Sequence, residues 1–461
     1  MISRRDALKL GVAGLVEPSL GMAANQSRIA AQEAGGSVAM FRGNAARTGA
    51  MPGPGPSLDK PIGVKWTFAT GGSVASSPAI VDGVVYVGSD DTHLYAIDAA
   101  TGQERWRFAS GSPVTSSSPA VVNGAVYFGS GDDIYAVDAE TGTQRWRFAT
   151  GSYVSSSPAV VNDIVYIGSG DNNLYAIDGN LGELHWRFST GSWVDSSPAV
   201  VEGVIYVGSD DKNLYAIDAI TGTELWHFPT GTSQHITTPA VVDGVVYLSS
   251  RDHNLYAIDA STGVELWRFL AEEPLISSPT INKDVVFVGS ISGNLFAIDA
   301  LSGMERWRFT TDGQVTSSPA VVDDVVYSGI WEGYLHAIDT MSATEHWQFS
   351  AEDWISSSPV VVNGMIYIGS WDHNLYAVGN LPESKLIADA TLRAAPSLAG
   401  AERGTAKSGD SISSVTSRES SGGEEWIEVT IGDVTGWIPL DAIDPATLPP
   451  EGEIEYVYVP E

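Results

Sequence analysis

The side chains that could bind a ligand are aromatic, imidazole and carboxylate groups in short polar segments between apolar runs. The candidate binding residues are Tyr153, Trp193, His235, Trp331, Trp354, Trp371 and His373. Near them along the chain stand Asp195, Asp211, Asp252, His253, Glu332, Asp353 and Asp372. Large aromatic rings amid polar groups are typical of binding surfaces. A single aspartate in such a segment more often serves the turn itself, because short polar side chains hydrogen-bond nearby backbone.

The sequence contains weaker indications of catalysis than of binding. Serine precedes proline repeatedly, as in Ser77-Pro78, but no Gly-x-Ser-x-Gly turn accompanies a His/Asp pair, which argues against a serine nucleophile. Turns such as Asp171-Asn172-Asn173 supply oxygen atoms without the twelve-residue pattern of a calcium loop. The chain has no cysteine, which removes disulfides, thiolate ligands and cysteine nucleophiles. We therefore predict no catalytic residue, no metal site and no cofactor.

The segments that carry these residues belong to a repeat. Tryptophan recurs every 40 residues, with one spacing of 41, at Trp66, Trp106, Trp146, Trp186, Trp226, Trp267, Trp307 and Trp347. A Ser/Thr-Pro pair and a segment of the type Leu-Tyr-Ala-Ile-Asp each recur eight times in the same phase. A period of about 40 residues is typical of propellers and other repeat architectures.

Each repeat predicts four short strands. The third repeat places them at Ser156–Val161, Ile164–Ser169, Leu174–Asp178 and Leu184–Ser189. Their Val, Ile and Tyr content favours buried strands, and the Asn-Gly and Asp-Gly pairs between first and second strands favour tight hairpins. One four-stranded sheet per repeat predicts an all-β fold, an eight-bladed β-propeller over residues 61–380. The strand at Trp66 has no partners before it, so we expect it to complete the last blade.

The repeat also resembles a known motif. The segment from Ala96 to Trp106 is similar to the tryptophan-docking motif of quinoprotein propellers, Ala-x-Asp-x-x-Thr-Gly-x-x-x-Trp, and full copies end at Trp146, Trp226 and Trp267. The eighth repeat departs from it at Gly379, and Phe41-Arg42-Gly43-Asn44 with Arg47-Thr48-Gly49 resembles the lead-in before such arrays. The resemblance implies that the repeated tryptophans are structural wedges between blades. We expect the serine hydroxyls to bond backbone groups near the central channel.

The resemblance leaves two functions open. The first is a non-catalytic scaffold that binds a protein or ligand, similar in architecture to the propeller subunit of outer-membrane barrel assembly, whose lipid-anchoring cysteine has no counterpart in this sequence. The alternative is a quinone-dependent oxidoreductase of an alcohol or sugar. Quinoprotein dehydrogenases hold a quinone over calcium in pockets built by long insertions, whereas the spacing here is nearly constant. We expect the candidate binding residues on the face that varies, and a nearly identical opposite face.

The two ends of the chain have other signatures. Residues 1–24 resemble a twin-arginine export signal, with Ser3-Arg4-Arg5 before a short apolar run, and predict a periplasmic, cell-wall-associated or extracellular protein. Residues 25–60 are interpreted as a linker. Residues 385–444 resemble a bacterial SH3-like domain in Leu392-Arg393, Trp426 and Thr435-Gly436-Trp437-Ile438, which implies peptide or cell-wall binding. Residues 445–461 are expected to form a flexible tail.

Charge restricts the partners. The chain of 461 residues has a formal net charge of −32, so nucleic acid and anionic lipid surfaces are disfavoured. The apolar run at Leu8–Val16 is far shorter than the roughly 20 residues of a membrane-spanning helix, so no transmembrane segment is predicted. We expect a monomer whose partner is a protein, or a peptide or cell-wall ligand.

Overall fold

The computed structural model describes residues 37–231, 236–381, 390–394, 401–407, 412, 414–421, 424–431 and 434–443. The export signal predicted at residues 1–24, His235 and the tail at 445–461 lie outside these residues. Within the described part of the chain, no helix has the length and apolar character needed to cross a membrane.

Eight four-stranded antiparallel sheets confirm the predicted propeller blades. The first strands of neighbouring blades contact one another, which places them around the centre. From first to outermost strand, blades 1 to 4 are Ala79–Val81, Val84–Gly88, His93–Asp98, Glu104–Ala109; Ala120–Val122, Ala125–Ser130, Asp133–Asp138, Gln144–Ala149; Ala159–Val161, Ile164–Ser169, Asn173–Asp178, Leu184–Ser189; and Ala199–Val201, Val204–Ser209, Asn213–Asp218, Glu224–Pro229.

The second half of the ring continues the pattern. Blades 5 to 8 are Ala240–Val242, Val245–Ser249, Asn254–Asp259, Glu265–Leu270; Thr280–Asn282, Val285–Gly289, Asn294–Asp299, Glu305–Thr310; Ala320–Val322, Val325–Gly329, Tyr334–Asp339, Glu345–Ser350; and Val360–Val362, Met365–Gly369, Asn374–Asn380, Ile62–Ala69. We call the side with the blade-to-blade connections and the second-to-third turns the upper face. The first hairpins and the Thr-Gly turns form the lower face.

The ring closes as the sequence predicts. Ile62–Ala69, the first strand of the chain, is the outermost strand of blade 8 and pairs antiparallel with Asn374–Asn380. The register runs from Ile62 opposite Asn380 to Ala69 opposite Asn374. The two ends of the repeat array are therefore joined in one sheet.

Each tryptophan of the repeat lies where one blade meets the next. Trp106 of blade 1 donates its indole N–H to the Ala139 carbonyl of blade 2 at 3.0 Å, and the Tyr86 hydroxyl donates to the same oxygen at 3.1 Å. A Cβ atom on Gly142 of blade 2 would lie 2.7 Å from this indole, so only glycine allows the ring to approach so closely. Trp66 makes the same contacts with Ala99 and Gly102 across the closing junction.

Blade 8 lacks the Thr-Gly turn, and its junction with blade 7 differs accordingly. The Trp347 indole N–H and the Tyr327 hydroxyl, which have carbonyl partners elsewhere in the ring, are buried without a hydrogen-bond partner among the described residues. A Cβ atom on Gly55 would lie 2.7 Å from the Tyr327 hydroxyl oxygen. The segment before the first strand therefore covers the position of the missing turn.

A closed belt of hydrogen bonds joins the eight blades near the centre. In each blade, the backbone N–H of the residue before the repeated proline donates to the hydroxyl of the equivalent residue in the next blade, at 2.9–3.2 Å. Its members are Ser77, Ser118, Ser157, Ser197, Thr238, Ser278, Ser318 and Ser358. All are buried, and Ser358 bonds back to Ser77.

The segment that precedes the first strand lies inside the ring. Backbone groups of residues 38–54 hydrogen-bond the first strands of six blades, from Val38 with Ile80 of blade 1 to Gly49 and Met51 with Val321 of blade 7. Pro54 then accepts a bond from Gly364 in blade 8. We interpreted residues 25–60 as a linker from the sequence. The described residues of this segment instead fill the centre of the ring, because their backbone groups hydrogen-bond the first-strand backbone groups that face the axis.

A second, smaller sheet follows the propeller. Its strands are Ala390–Arg393, Glu402–Ala406, Ser414–Ser421, Glu424–Ile431 and Val434–Pro439, followed by the 3₁₀ turn Leu440–Ala442. Leu392, Ile427, Val429 and Ile438 are buried together on it. The SH3-like identity of residues 385–444 stays a prediction.

Glycine at the closing junction can be tested with a matched pair of variants. Gly102 and Gly83 both have positive φ, of 70° and 72°, but only Gly102 faces an indole; nothing lies within 4 Å of a Cβ on Gly83. We expect Gly102→Ala to lower the free energy of unfolding by about 1–3 kcal/mol more than Gly83→Ala, because the methyl group displaces Trp66. Urea unfolding of both variants measures this, and equal losses would contradict the wedge.

Tyr86 and its equivalents in blades 2 and 3, Tyr127 and Tyr166, each donate a hydroxyl to a carbonyl of the next blade and predict how stability depends on alkaline pH. Burial raises the pKa of Tyr86, Tyr127 and Tyr166 to about 12, above the value of about 10 in an unfolded chain. Their contribution to stability is thus complete below pH 10 and is lost as the pH rises towards 12. We expect urea midpoints to fall between about pH 10 and 12 and Tyr86→Phe to reduce that dependence. An unchanged pH dependence in Tyr86→Phe would count against this assignment.

Candidate functional site

Three of the predicted binding residues form one aromatic cluster on the upper face. Trp331, in the second-to-third turn of blade 7, stacks on Trp354 in the connection to blade 8, with ring centroids 4.5 Å apart and planes 4° from parallel. Trp371, in the turn of blade 8, lies 5.0 Å from Trp354 at 49°. Trp354 is 38 % exposed and stands between the other two rings. We call Trp331, Trp354 and Trp371 the tryptophan cluster.

Backbone hydrogen bonds and a side-chain bond position these rings. The Trp371 N–H donates to the Trp354 carbonyl at 2.9 Å, and the Trp371 indole N–H donates to the Ser356 hydroxyl at 2.8 Å. Trp331 N–H donates to the Gln314 carbonyl at 3.1 Å. The cluster is therefore held on two neighbouring blades by the same turn-to-connection bonds that other blades make with small residues, such as Asp90 with Ser73.

Tyr153 and Trp193 form a second aromatic pair. Their ring centroids are 5.6 Å apart at 80°, and they are 38 % and 46 % exposed. Asp195 accepts bonds from the Ser155 hydroxyl at 2.8 Å and the Tyr153 hydroxyl at 3.4 Å. Partial burial, then the charge of Asp195, raises the pKa of Tyr153 to about 12, so the phenol is neutral at physiological pH. This pair belongs to blades 3 and 4, on the opposite side of the ring from blades 7 and 8.

His373 and His253 lie in upper-face turns and make no ring stack like those of the tryptophan cluster among the described contacts. His373 is exposed in the turn that carries Trp371, and its φ of 74° identifies it as a turn residue. His253 has the same conformation in blade 5, with φ of 75°. The structure thus brings Trp331, Trp354 and Trp371 together with His373 at the edge, and separates Tyr153 and Trp193 from them.

The aspartates of the upper turns mainly hold the backbone. Asp252 accepts hydrogen bonds from the Gly231 N–H at 2.6 Å and the Tyr256 hydroxyl at 2.7 Å, and Asp211 and Asp372 take the equivalent place in blades 4 and 8. Although burial alone would raise it, the bonds from Tyr256, Asn254 and Gly231 hold the pKa of Asp252 below its usual value. These carboxylates stabilise the turns. Of the two interpretations of the sequence, a structural role in the turn and a role in ligand binding, their hydrogen bonds favour the structural role.

Two arginines at the centre of the ring were not predicted as functional residues. Arg47 is completely buried and donates to the carbonyls of Phe41, Ser157, Pro158 and Pro198 at 2.7–3.1 Å. Arg42 is also buried and donates to the Pro279 carbonyl and, at 2.9 Å, to the Thr280 hydroxyl. Burial lowers the pKa of both to about 9, so both carry charge at neutral pH. The presence of Arg42 and Arg47 in the lead-in motif was the feature of the sequence that could have predicted their structural role.

The described residues do not fit a quinone held over calcium. No three His, Asp or Glu side chains within the described ranges are grouped so that they could hold a metal ion. The central segment buries the guanidinium ions of Arg42 and Arg47, whose charge opposes a divalent cation.

The lower face differs from the prediction of eight nearly identical turns. Blades 3 to 7 expose large apolar side chains on the lower turns and the outermost strands, among them Ile220, Leu225, Val264, Leu301 and Met341. At the repeat position of Leu225, blade 1 has Arg105 and blade 2 has Arg145. These arginines form ion pairs with Asp98 and Asp138, respectively. The backbone motif tolerates either class of side chain because these positions point to solvent.

Together the eight sheets and their tryptophan junctions define a β-propeller built from quinoprotein-like repeats. The family model described as outer membrane protein assembly factor BamB matches residues 58–133, 130–241, 221–327 and 292–382. The chain belongs to this family.

Solved structures share the fold at low sequence identity. BamB from Moraxella catarrhalis is 18 % identical, with a TM-score of 0.60 over 69 % of this chain and 97 % of that chain. Quinohemoprotein alcohol dehydrogenase from Comamonas testosteroni is 15 % identical, with a TM-score of 0.66 over 78 % and 83 %. The computationally designed Ika8 protein is 17 % identical, with a TM-score of 0.62 over 71 % and 100 %. A search of curated protein sequences finds no match.

The buried arginines lead to a test of the central segment. We expect Arg47→Met to lower the free energy of unfolding by about 3 kcal/mol or more, because several buried carbonyl groups lose their donor. Arg107→Met is the control: Arg107 is exposed, where it pairs with Glu104 and lies over the Tyr95 ring, so its loss should cost about 1 kcal/mol or less. Urea unfolding compares the two, and equal stabilities would show that Arg47 does not hold the ring.

Proposed function

We propose that this protein is an exported, non-catalytic scaffold of the cell envelope that binds a protein or peptide through the tryptophan cluster on its upper face. The observation that carries the proposal is the exposed Trp354 ring, which stacks on the half-buried Trp331 and lies beside the half-buried Trp371. Clustered exposed aromatic rings are the side chains that most often dominate binding energy at protein interfaces.

The fold itself does not require these indoles. At the position of Trp371, blade 1 has Asp90, and at the position of Trp354 it has Ser73, and the same backbone bond forms. A cluster of adjacent rings that the architecture does not need is better explained by a partner than by stability, because contiguous apolar patches on a protein surface commonly mark interaction sites. The name of the matching family, outer membrane protein assembly factor, supports a partner that is a protein in the envelope.

The alternative, a quinone-dependent oxidoreductase, rests on the resemblance of repeats and fold. The fold is shared by dehydrogenases such as that of Comamonas testosteroni and by a designed protein, so it favours no reaction. Purified protein supplied with pyrroloquinoline quinone and calcium would reduce an artificial electron acceptor in the presence of an alcohol or sugar under this alternative.

The terminal segments extend the proposal. Residues 1–24 would direct export through the twin-arginine route, and residues 385–444 would act as an SH3-like module for a peptide or cell-wall ligand. Residues 445–461 would follow as a tail. The variant Arg4→Lys with Arg5→Lys should keep the protein inside cells, and its normal export would contradict this route.

The tryptophan cluster predicts a selective loss of partner. We expect Trp371→Ala to keep a melting temperature close to that of the unchanged protein and to lose the envelope proteins that full-length protein captures. Leu301→Ala is the matched control, because Leu301 is 82 % exposed on the lower face and its truncation also removes apolar surface. Mass spectrometry of captured proteins, followed by titration of the purified partner, measures the difference.

The capture experiment has a clear contrary result. If Trp371→Ala and Leu301→Ala retain the same proteins with the same affinity, the tryptophan cluster is not the binding site. A parallel capture with a chain that ends at Leu381 separates partners of the propeller from partners of the C-terminal sheet.

A further inference from the structure

The tryptophan cluster is surrounded by carboxylates. The connections and turns of blades 7 and 8, residues 311–316, 330–334, 351–358 and 370–374, contain Asp312, Glu332, Glu352, Asp353 and Asp372 but no lysine or arginine. The first four are exposed, whereas Asp372 is half-buried. The upper surface around the three indoles is therefore strongly negative on a chain whose net charge is already −32.

Four of these carboxylates have no salt-bridge partner in the part of the chain that the structure describes. Where charges meet on the lower face they form ion pairs, such as Arg306 with Asp299 at 2.7 Å. Among the described residues, no salt bridge joins Asp312, Glu332, Glu352 or Asp353 to a basic side chain. Their mutual repulsion remains until a cation from outside approaches.

Two of the carboxylates belong to residues next to a tryptophan of the cluster in the sequence. Asp353 precedes Trp354 and accepts its backbone N–H at 2.8 Å, and Glu332 follows Trp331. Glu332 extends over Gly313 of the preceding connection, where only the absence of a Cβ atom leaves room for its carboxylate. Asp353 thus places negative charge directly beside Trp354, whereas the Glu332 carboxylate lies over the connection that precedes blade 7.

Indole faces and carboxylates together favour one class of ligand. A guanidinium or ammonium group is attracted by the ring quadrupole and by the neighbouring carboxylates at the same time. Acidic partners are repelled by the same groups. Resting on the function proposed above, we infer that the tryptophan cluster binds a basic segment of its protein partner, with an arginine or lysine side chain against Trp354.

The inference is tested with peptides of known charge. A short arginine–glycine repeat peptide with blocked ends is titrated into full-length protein, beside serine–glycine and glutamate–glycine peptides of equal length. We expect the arginine peptide to bind at least about 10-fold more tightly than the serine peptide at low salt, with the difference shrinking as sodium chloride rises to about 0.5 M.

Variants separate the aromatic contribution from simple charge attraction. Trp354→Ala should weaken the arginine peptide about 5-fold or more, and Trp354→Tyr should recover part of the loss, because tyrosine retains a ring face. Glu352→Gln with Asp353→Asn should weaken binding more than Glu140→Gln with Glu183→Gln, which removes the same charge from the lower face of blades 2 and 3. Circular dichroism melting of each variant checks that the ring is intact.

The outcomes distinguish this inference from the proposed function. Equal binding of arginine and serine peptides, equal effects of the two charge-neutralised pairs, or unchanged binding by Trp354→Ala would overturn the basic-segment inference. If Trp371→Ala still loses its envelope partner in that case, the scaffold function stands with an uncharged ligand. If the partner is also retained, both are wrong.

Discussion

The closed belt of hydrogen bonds from each blade to the next is the constraint on which the rest of the structure depends. Each of the eight residues before a repeated proline is donor to one neighbour and acceptor from the other, and Ser358 returns to Ser77. Because every member is buried, removal of one hydroxyl leaves a backbone N–H without a partner. The ring can satisfy these groups only when all eight blades are in place.

Outside the belt, the tryptophan junctions and the central segment reinforce the same closure. Trp66 joins blade 8 to blade 1 through strands from the two ends of the array, while Arg42 and Arg47 join the lead-in segment to distant first strands. The junction between blades 7 and 8 differs from the others, because Trp347 and Tyr327 lack hydrogen-bond partners among the described residues. This is the junction at which the chain leaves the propeller. A rigid frame of this kind lets the upper connections vary, so a tryptophan stack can be placed there without altering the fold.

Periodic features of the sequence predicted most of this frame. The Trp spacing, the Ser/Thr-Pro pairs and the unpartnered strand at Trp66 led to eight blades closed by Ile62–Ala69, because each feature reports a local structure that recurs. The filling of the channel by residues 38–54 was not predicted, because its backbone bonds depend on a non-periodic segment meeting six different repeats. The stacking of Trp331 on Trp354 likewise depends on two loops from neighbouring blades, and sequence spacing alone could only place both residues on one face.

Amide hydrogen exchange at the belt residues tests the closed ring most directly. If the belt holds all blades together, the N–H groups of Ser77, Ser118, Ser157, Ser197, Thr238, Ser278, Ser318 and Ser358 should exchange only through global unfolding. They should then share one opening free energy and one dependence on urea. Belt amides that exchange blade by blade with different opening free energies would show that the repeats are stable independently, and would contradict this account.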